Sequence, residues 1–408
     1  MNKNHIYEVD VYQKENKTEI IRINVLNNST LEIVTESSVF FPVGGGQPSD
    51  IGTISKNGTD FDVTHAFLDG KHIVHVVDAK PDEFSLFDKV TLSINWDFRF
   101  QNMQRHLGEH ILTGSFYNLY GFENRGFHMG EEYMTIDLFH DSKTLTDEMV
   151  DTAELLANKI LWENHPVNSY WFADKEVAAN SINTRKKITQ DGEIKVTVVG
   201  TLSNPFDSVP CCGTHPKNTG EVGMIKIYKF HKNKDMTRIF FDAGSMAFSN
   251  CVLNRKILNK ISNKMSTSIE DLERCLDVIN KKQKSLKAEN LKIRNELCNM
   301  EESKIINFIN SNMNKNIFCF TANENISNIT KFGFNIIEKS EIKILLLLIE
   351  QGSLNVHLFS SCSDKFNCKD FISNATKEFR CKGGGTPYSG RISFYARCEL
   401  TDFIKSIT

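Results

Sequence analysis

Two short stretches about a hundred residues apart, HLGEH and PCCGTHP, limit what this 408-residue chain can fold into. Each places two metal-donor side chains four residues apart: His106 with His110, and Cys211 with His215. If both pairs serve one ion, the fold must bring residues 106–110 against residues 211–215. Around the first pair, Phe100, Met103, Leu107, His110, Gly114 and Tyr117 recur at spacings of three and four, which predicts a helix stopped near Gly121. On such a helix the two imidazoles lie one turn apart on one face. Around the second pair, Pro210, Gly213 and Pro216 predict a rigid loop. A His/His/Cys/His set mixes borderline and soft donors and suits tetrahedral zinc, Zn2+. Composition does not separate Cys211 from Cys212. The four-residue symmetry favours Cys211, with Cys212 as a neighbour able to substitute or oxidise. Four simultaneous ligands close a site and suit a structural ion, whereas catalysis needs a ligand to yield or a fifth position. HLGEH also fits the H-x-x-E-H pattern of inverted zinc proteases, with Glu109 as base, but that reading leaves Cys211 and His215 unused.

Composition narrows the class. Forty per cent hydrophobic and 24% charged residues describe a globular chain long enough for two or three domains. The net charge of -3 means that any nucleic-acid surface must be local. No apolar run is long enough for a membrane span, and the amino-terminal residues lack an apolar leader core, so a cytoplasmic location is expected. Ten scattered cysteines then read as reduced thiols.

The pattern along the chain predicts an α+β architecture in four parts. Residues 1–93 read as short strands separated by turns (TEIIRINVL, LEIVTESSVFF, GTDFDVTHAFL, KHIVHVV and DKVTLSINW), a β-barrel-like domain. The glycine triple Gly44, Gly45 and Gly46 falls at the end of the second. Residues 94–250 alternate helices and strands, which predicts an antiparallel sheet backed by helices around the zinc site. Residues 251–305 are nearly free of Gly and Pro. There Leu272, Leu276, Ile279, Gln283, Leu286, Asn290, Ile293, Leu297 and Met300 form a heptad seam with two polar positions, a helical coiled-coil arm used as a hairpin or in a dimer. Residues 306–408 read as a small α/β domain with a second Gly-rich loop, CKGGGTPYSG.

The first Gly-rich stretch, FFPVGGGQPSDIG, has neither the Lys-Ser/Thr nor the following helix that a phosphate cradle requires. Together with RFQNMQRHLGEHIL and SVPCCGTHP it resembles the alanyl-tRNA editing proteins (the AlaX family) and the editing domain of alanyl-tRNA synthetase. The motifs run in the same order over about residues 20–247, including GFHMGEEYMTID and TRIFFDAGSMA. The heptad helix and KGGGTPYSG resemble the long form of that family, whose terminal domain is similar to the glycine-rich tRNA-binding domain of the synthetase.

The resemblance implies a free-standing, zinc-dependent deacylase that hydrolyses the ester of serine, or of glycine, on the 3′ end of tRNA(Ala) and spares alanine. It implies zinc on His106, His110, Cys211 and His215, and a glycine loop, Gly44 to Gly46, beside the pocket. Ser38 stands where the family has a hydroxyl residue, usually Thr, that recognises the serine side chain; its alternative is an ordinary strand-end serine. Gln47 is placed near the pocket, to donate to the substrate carbonyl or terminal ribose. Glu109, beside both histidines, is either a proton relay or a solvated helix residue. Arg125, His128 and Arg238 are pocket or phosphate contacts, or structural. Lys226, Lys229, Lys232, Lys234 and the helix lysines Lys281, Lys282, Lys284 and Lys287 are candidate RNA contacts. A homodimer through the helical arm and terminal domain is expected. The rival classes are a non-catalytic RNA-binding protein with a structural zinc, and the zinc protease.

Overall fold

The computed structural model describes residues 4–140, 144–323, 326 and 328–407, and all elements below are of these residues. The outer ends of the first and last predicted domains, including the first residues of the segment read as lacking a leader, lie outside them. Two compact units are present, Met1–Ile261 and Ser262–Thr408.

In the first unit, a short helix α1 (Ile6–Val9) precedes six strands: β1 (Glu15–Asn27), β2 (Thr30–Thr35), β3 (Gly52–Lys56), β4 (Thr59–Asp69), β5 (His72–Asp78) and β6 (Lys89–Ile94). They close into an antiparallel barrel in the order β1-β2-β5-β4-β3-β6. Period-two burial along β2 and β6 sends Leu31, Ile33, Val90 and Leu92 inward, and these pack with Ile20, Ile54 and Phe40. The second predicted strand is shorter than expected and stops at Thr35. Residues 38–41 instead run as buried irregular chain, because their backbone groups bond elsewhere. Ser38 N–H donates to Asn4 O, Val39 N–H to the Asn16 side chain and Phe41 N–H to the Asp50 carboxylate.

The chain then enters α2 (Trp96–Tyr120), capped by the Asn95 side chain and ended by Gly121 at φ 73°. It continues through β7 (Glu123–Met129), β8 (Met134–Phe139), α3 (Asp147–Trp162), β9 (Val167–Phe172), α4 (Lys175–Ser181), β10 (Ile194–Thr201), β11 (Asn204–Pro210), β12 (Ile225–Asn233) and β13 (Met236–Ala243). Strands β12-β13-β8-β7 form an antiparallel sheet, and β11-β10-β9 a separate small one. Helix α2 is buried over most of its length, so its stripe-like pattern is incomplete. Gly108 has no room for a side chain, since a Cβ there would lie 2.3 Å from the Ala243 Cβ; this allows α2 to sit close on the sheet. Two fully desolvated guanidinium–carboxylate pairs hold the helix on both sides. Arg99 reaches the barrel at Asp50 and the carbonyls of Val11 and Val39, and Arg105 reaches Asp242 on β13. Removing one partner of such a pair costs about 3–5 kcal/mol.

The helical segment reaches beyond both ends of residues 251–305 and is broken once. It comprises α5 (Gly244–Met265) and α6 (Leu272–Ser311), separated by a turn with Ser266 at positive φ. In α6, Leu276, Ile279, Leu286, Ile293, Leu297 and Met300 are 42–63% exposed, so among the described residues the heptad seam is uncovered beyond its first position, Leu272, which is buried. The second unit continues with β14 (Ile317–Ala322), α7 (Ile329–Lys339), β15 (Leu345–Glu350), β16 (Asn355–Ser360), α8 (Cys368–Glu378), β17 (Cys381–Gly385), β18 (Ser389–Phe394) and α9 (Arg397–Ile407). Its sheet runs β14-β15-β16-β18-β17, with apolar clusters on both faces. The second Gly-rich segment, expected as a loop, is the paired edge strand β17. Gly383 and Gly385 are required there, because a Cβ would fall 2.6 Å from Arg391 O or 2.4 Å from Ser389 O.

Candidate metal centre

Helix α2 and the loop after β11 deliver the two predicted pairs to one point. One ligand atom each from His106, His110, Cys211 and His215 lies within 4.8 Å of all the others. Cys211 Sγ is 3.4 Å from His106 Nε2 and 3.6 Å from His215 Nε2. Metal bonds of 2.0–2.3 Å in a tetrahedron put ligand atoms roughly 3.3–3.8 Å apart, so the two Cys211 distances match a zinc-sized ion. Burial pushes His106 down to about 4 and His110 and His215 well below their ordinary value, which keeps the imidazoles neutral, the form that ligates. Burial pushes the Cys211 thiol up to about 12, and a divalent cation is what would bring it to the thiolate. Cys212 is exposed beside it.

The glycine triple proves to be a tight turn. Gly44 and Gln47 exchange backbone hydrogen bonds of 3.2 and 3.0 Å across Gly45 (φ 59°) and Gly46 (φ 81°). Both central residues thus need positive φ, and a Cβ on Gly46 would meet the Phe127 ring at 2.9 Å. The turn carries Gln47 into the centre. Its Oε1 accepts from Thr214 N–H (3.0 Å) and faces His106 Nδ1 (2.8 Å), while its Nε2 donates to Thr214 Oγ1 (2.8 Å). A backbone N–H can only donate, so the atom facing it is the carboxamide oxygen. His106 Nδ1 must then carry the proton, which leaves Nε2 bare on the side of Cys211. One buried carboxamide therefore ties the barrel, α2 and the Cys211–His215 loop together. That loop is further held by Lys195, whose Nζ donates to Gly213 O (2.9 Å) and whose carbonyl accepts from Cys211 N–H (3.0 Å).

The other predicted residues are placed differently. Glu109 is buried rather than solvated, and its Oε1 accepts from Thr113 Oγ1 (2.9 Å) and Asn124 Nδ2 (2.7 Å). It thereby fastens β7 to α2, a placement that does not favour the free general base of a zinc protease. Ser38 is buried away from the cluster's contacts. Its hydroxyl faces His75 Nε2 (2.8 Å) and its oxygen accepts from Phe40 N–H (3.0 Å). His75 Nδ1 faces the Ile33 carbonyl (2.9 Å), so it carries the proton and Ser38 donates to Nε2. Arg125 lies over the Phe139 ring and near Glu123, His128 is exposed, and Arg238 forms a bidentate pair with Asp137 at 2.7 Å. None of the three has a contact with the four ligands among the described residues. Thr214, Lys195 and His75 carry no motif of their own. Only Thr214, directly before His215, could have been found from its place in the sequence.

Two family models match parts of this architecture. The one described as tRNA synthetases class II (A) covers residues 4–98, the barrel. The one described as threonyl and alanyl tRNA synthetase second additional domain covers residues 193–240, from β10 through the Cys211–His215 loop and β12 into β13. The barrel and the loop carrying Cys211 and His215 thus both fall in segments similar to aminoacyl-tRNA synthetases. Over nearly its whole length the chain is similar to an alanyl-tRNA editing protein. It is 28% identical over 404 residues to alanyl-tRNA editing protein AlaX-L of Pyrococcus horikoshii, covering 97% of this chain and 95% of that protein. It is 31% identical over 299 residues to the alanine–tRNA ligase of Pyrococcus abyssi, of which it spans 32%. A third relative, alanyl-tRNA editing protein Aarsd1-B of Xenopus laevis, is 27% identical over 66% of this chain and 63% of its own length. Among the described residues no helix is long and apolar enough to cross a membrane.

Proposed function

We propose that this chain is a deacylase acting in trans on tRNA(Ala) mischarged with serine or glycine, with one zinc ion held by His106, His110, Cys211 and His215. The observation that carries the reading is the buried three-imidazole, one-thiol cluster, in a chain similar along nearly its whole length to an alanyl-tRNA editing protein. A zinc ion there would supply Lewis-acid polarisation of an ester carbonyl or water. The protein's own residues supply the rest. Gln47 sets the His106 tautomer, and the Gly44–Gly46 turn offers backbone without side chains beside the centre, which leaves room for an aminoacyl-adenosine end. Ser38, which the resemblance assigns to the serine side chain, has its proton committed to His75, so towards a substrate hydroxyl it can only accept. An alanyl ester brings no donor for it, and a site that loses a hydrogen bond discriminates against that substrate. Glu109, Arg125, His128 and Arg238 are framework residues in this reading.

The uncovered seam of α6 and the exposed lysines Lys281, Lys282, Lys284 and Lys287 support a homodimer through the arm and phosphate contacts along it. A second reading, an RNA-binding protein with a structural zinc, is favoured by one feature: four protein donors converge and close the site. The test offers the zinc-loaded protein Ser-tRNA(Ala), Gly-tRNA(Ala) and Ala-tRNA(Ala) and measures ester release. Release of the first two with the alanyl ester spared is expected, and a folded His106→Ala variant should lose it. A seryl ester as stable as in buffer would refute the deacylase, and tight RNA binding in that case would favour the structural-zinc reading.

A further inference from the structure

Among the described residues His110 Nδ1 is buried without a hydrogen-bond partner, whereas the other helix histidine is supported: His106 has Gln47. The nearest carboxylate oxygen is Asp207 Oδ2, 3.9 Å away. Asp207 sits on β11, four residues before Cys211, and is buried. Arg185 clamps it, with Nε donating to Oδ1 at 2.8 Å and Nη2 to Oδ2 at 3.1 Å. Arg185 is in turn fixed by its own backbone N–H, which donates to Ser208 O at 2.9 Å. Helix α2 makes room for this pair at one place. A Cβ on Gly114 would lie 3.2 Å from Asp207 Cβ and 3.3 Å from Cγ, so glycine one turn beyond His110 lets the carboxylate approach the ring.

We propose that Asp207, aimed by Arg185, is the positioning residue of His110. A carboxylate in a bidentate pair with arginine only accepts, so a ring nitrogen turned to it carries the proton. Nε2 is then the nitrogen left for the ion. A movement of about 1 Å closes the present gap to hydrogen-bond length. The two helix ligands are therefore oriented by unlike partners, His106 by a neutral carboxamide and His110 by a carboxylate. A carboxylate behind a ligating imidazole raises its basicity, which a carboxamide does less.

The inference rests on the metal-centre reading and is tested without tRNA. Zinc affinity is measured by competition with a chromophoric chelator, and the visible absorption of the Co2+-substituted protein reports the ligand field. Asp207→Asn removes the charge. The double variant Arg185→Met/Asp207→Leu removes both buried charges together, which folds tolerate better than stripping one partner. Both variants should bind zinc about 10- to 100-fold more weakly with a shifted cobalt spectrum, while the double variant keeps the wild-type circular dichroism. A folded double variant with wild-type zinc affinity overturns the proposal. So does a double variant that fails to fold, since the pair would then belong to the framework. Wild-type protein that takes up no ion would instead overturn the metal-centre reading, and this proposal with it.

Discussion

Replacing Gln47 by Leu separates a framework role from a substrate-contacting one. The residue is 1% exposed, and its carboxamide makes the three contacts of 2.8, 2.8 and 3.0 Å described above. Leu has similar bulk but no polar atom, so it strands two buried donors, His106 Nδ1–H and Thr214 N–H. The Thr214 hydroxyl can rotate to another acceptor. Each stranded donor costs about 1–3 kcal/mol, which gives a loss of about 2–6 kcal/mol. The lower half of that range is expected, because the added apolar burial offsets part of it. Urea denaturation of the metal-free protein measures this term. The His106 ring is also freed to turn, so zinc affinity should fall about 10- to 100-fold. Gln47→Glu keeps an acceptor for both stranded donors and should recover most of each loss. If Gln47→Leu lies within 1 kcal/mol of wild type and binds zinc equally well, with only kcat/KM reduced, the tautomer argument is wrong and Gln47 serves the substrate.

Three further outcomes follow from the geometry. Gly213→Ala puts a Cβ 2.2 Å from His106 Cε1 and 2.9 Å from Gln47 Oε1, so the protein should emerge from gel filtration without stoichiometric zinc, as elemental analysis will show. Burial pushes His75 down to about 4, so the protein loses stability as this residue protonates. Its contribution is complete above about pH 6.5 and is lost progressively down to about pH 4, roughly 3 kcal/mol in all. The fall in unfolding free energy between those pH values should be shallower by about that amount in His75→Gln. Leu286→Glu, at the centre of the exposed seam, should convert a dimer to a monomer in sedimentation without loss of zinc, and an unchanged sedimentation coefficient would sink the arm-mediated dimer.

The four-residue cluster was legible because each pair is local: four residues on a helix or in a proline-bounded loop is a spacing that geometry interprets directly. Five of the six barrel strands and α2 were legible for the same reason, from period and caps, whereas the short β3 was not among the predicted strands. What surrounds the ligands was not. Asp207, Arg185 and Lys195 reach the centre only because the β10–β11 hairpin docks there, and nothing in their local sequence states that docking. Charge alone did not give the facing of the side chains on β7 and β13. On β7, Asn124 turns inward to Glu109 while its neighbour Arg125 turns outward, and a one-residue offset in a strand reverses the face. Residues 38–41 looked like strand because they are apolar, yet tertiary hydrogen bonds claim their backbone. The helix break after Met265 has no proline or glycine to announce it.

The ligands come from two places in the chain with a long stretch between them, and this bears on how the protein is made. Cys211 follows His106 by 105 positions. At about 5–20 residues per second, a ribosome needs roughly 5–20 seconds to pass from one pair to the other. During that interval the emerging helix offers an incoming ion two nitrogens and no sulfur. Firm capture must therefore wait until residue 215 has cleared the exit tunnel and the β10–β11 hairpin has closed. On the proposed metal reading, ion uptake is thus a late check on assembly: a nascent chain with a misdocked barrel or hairpin would hold an ion weakly and would be marked by that defect.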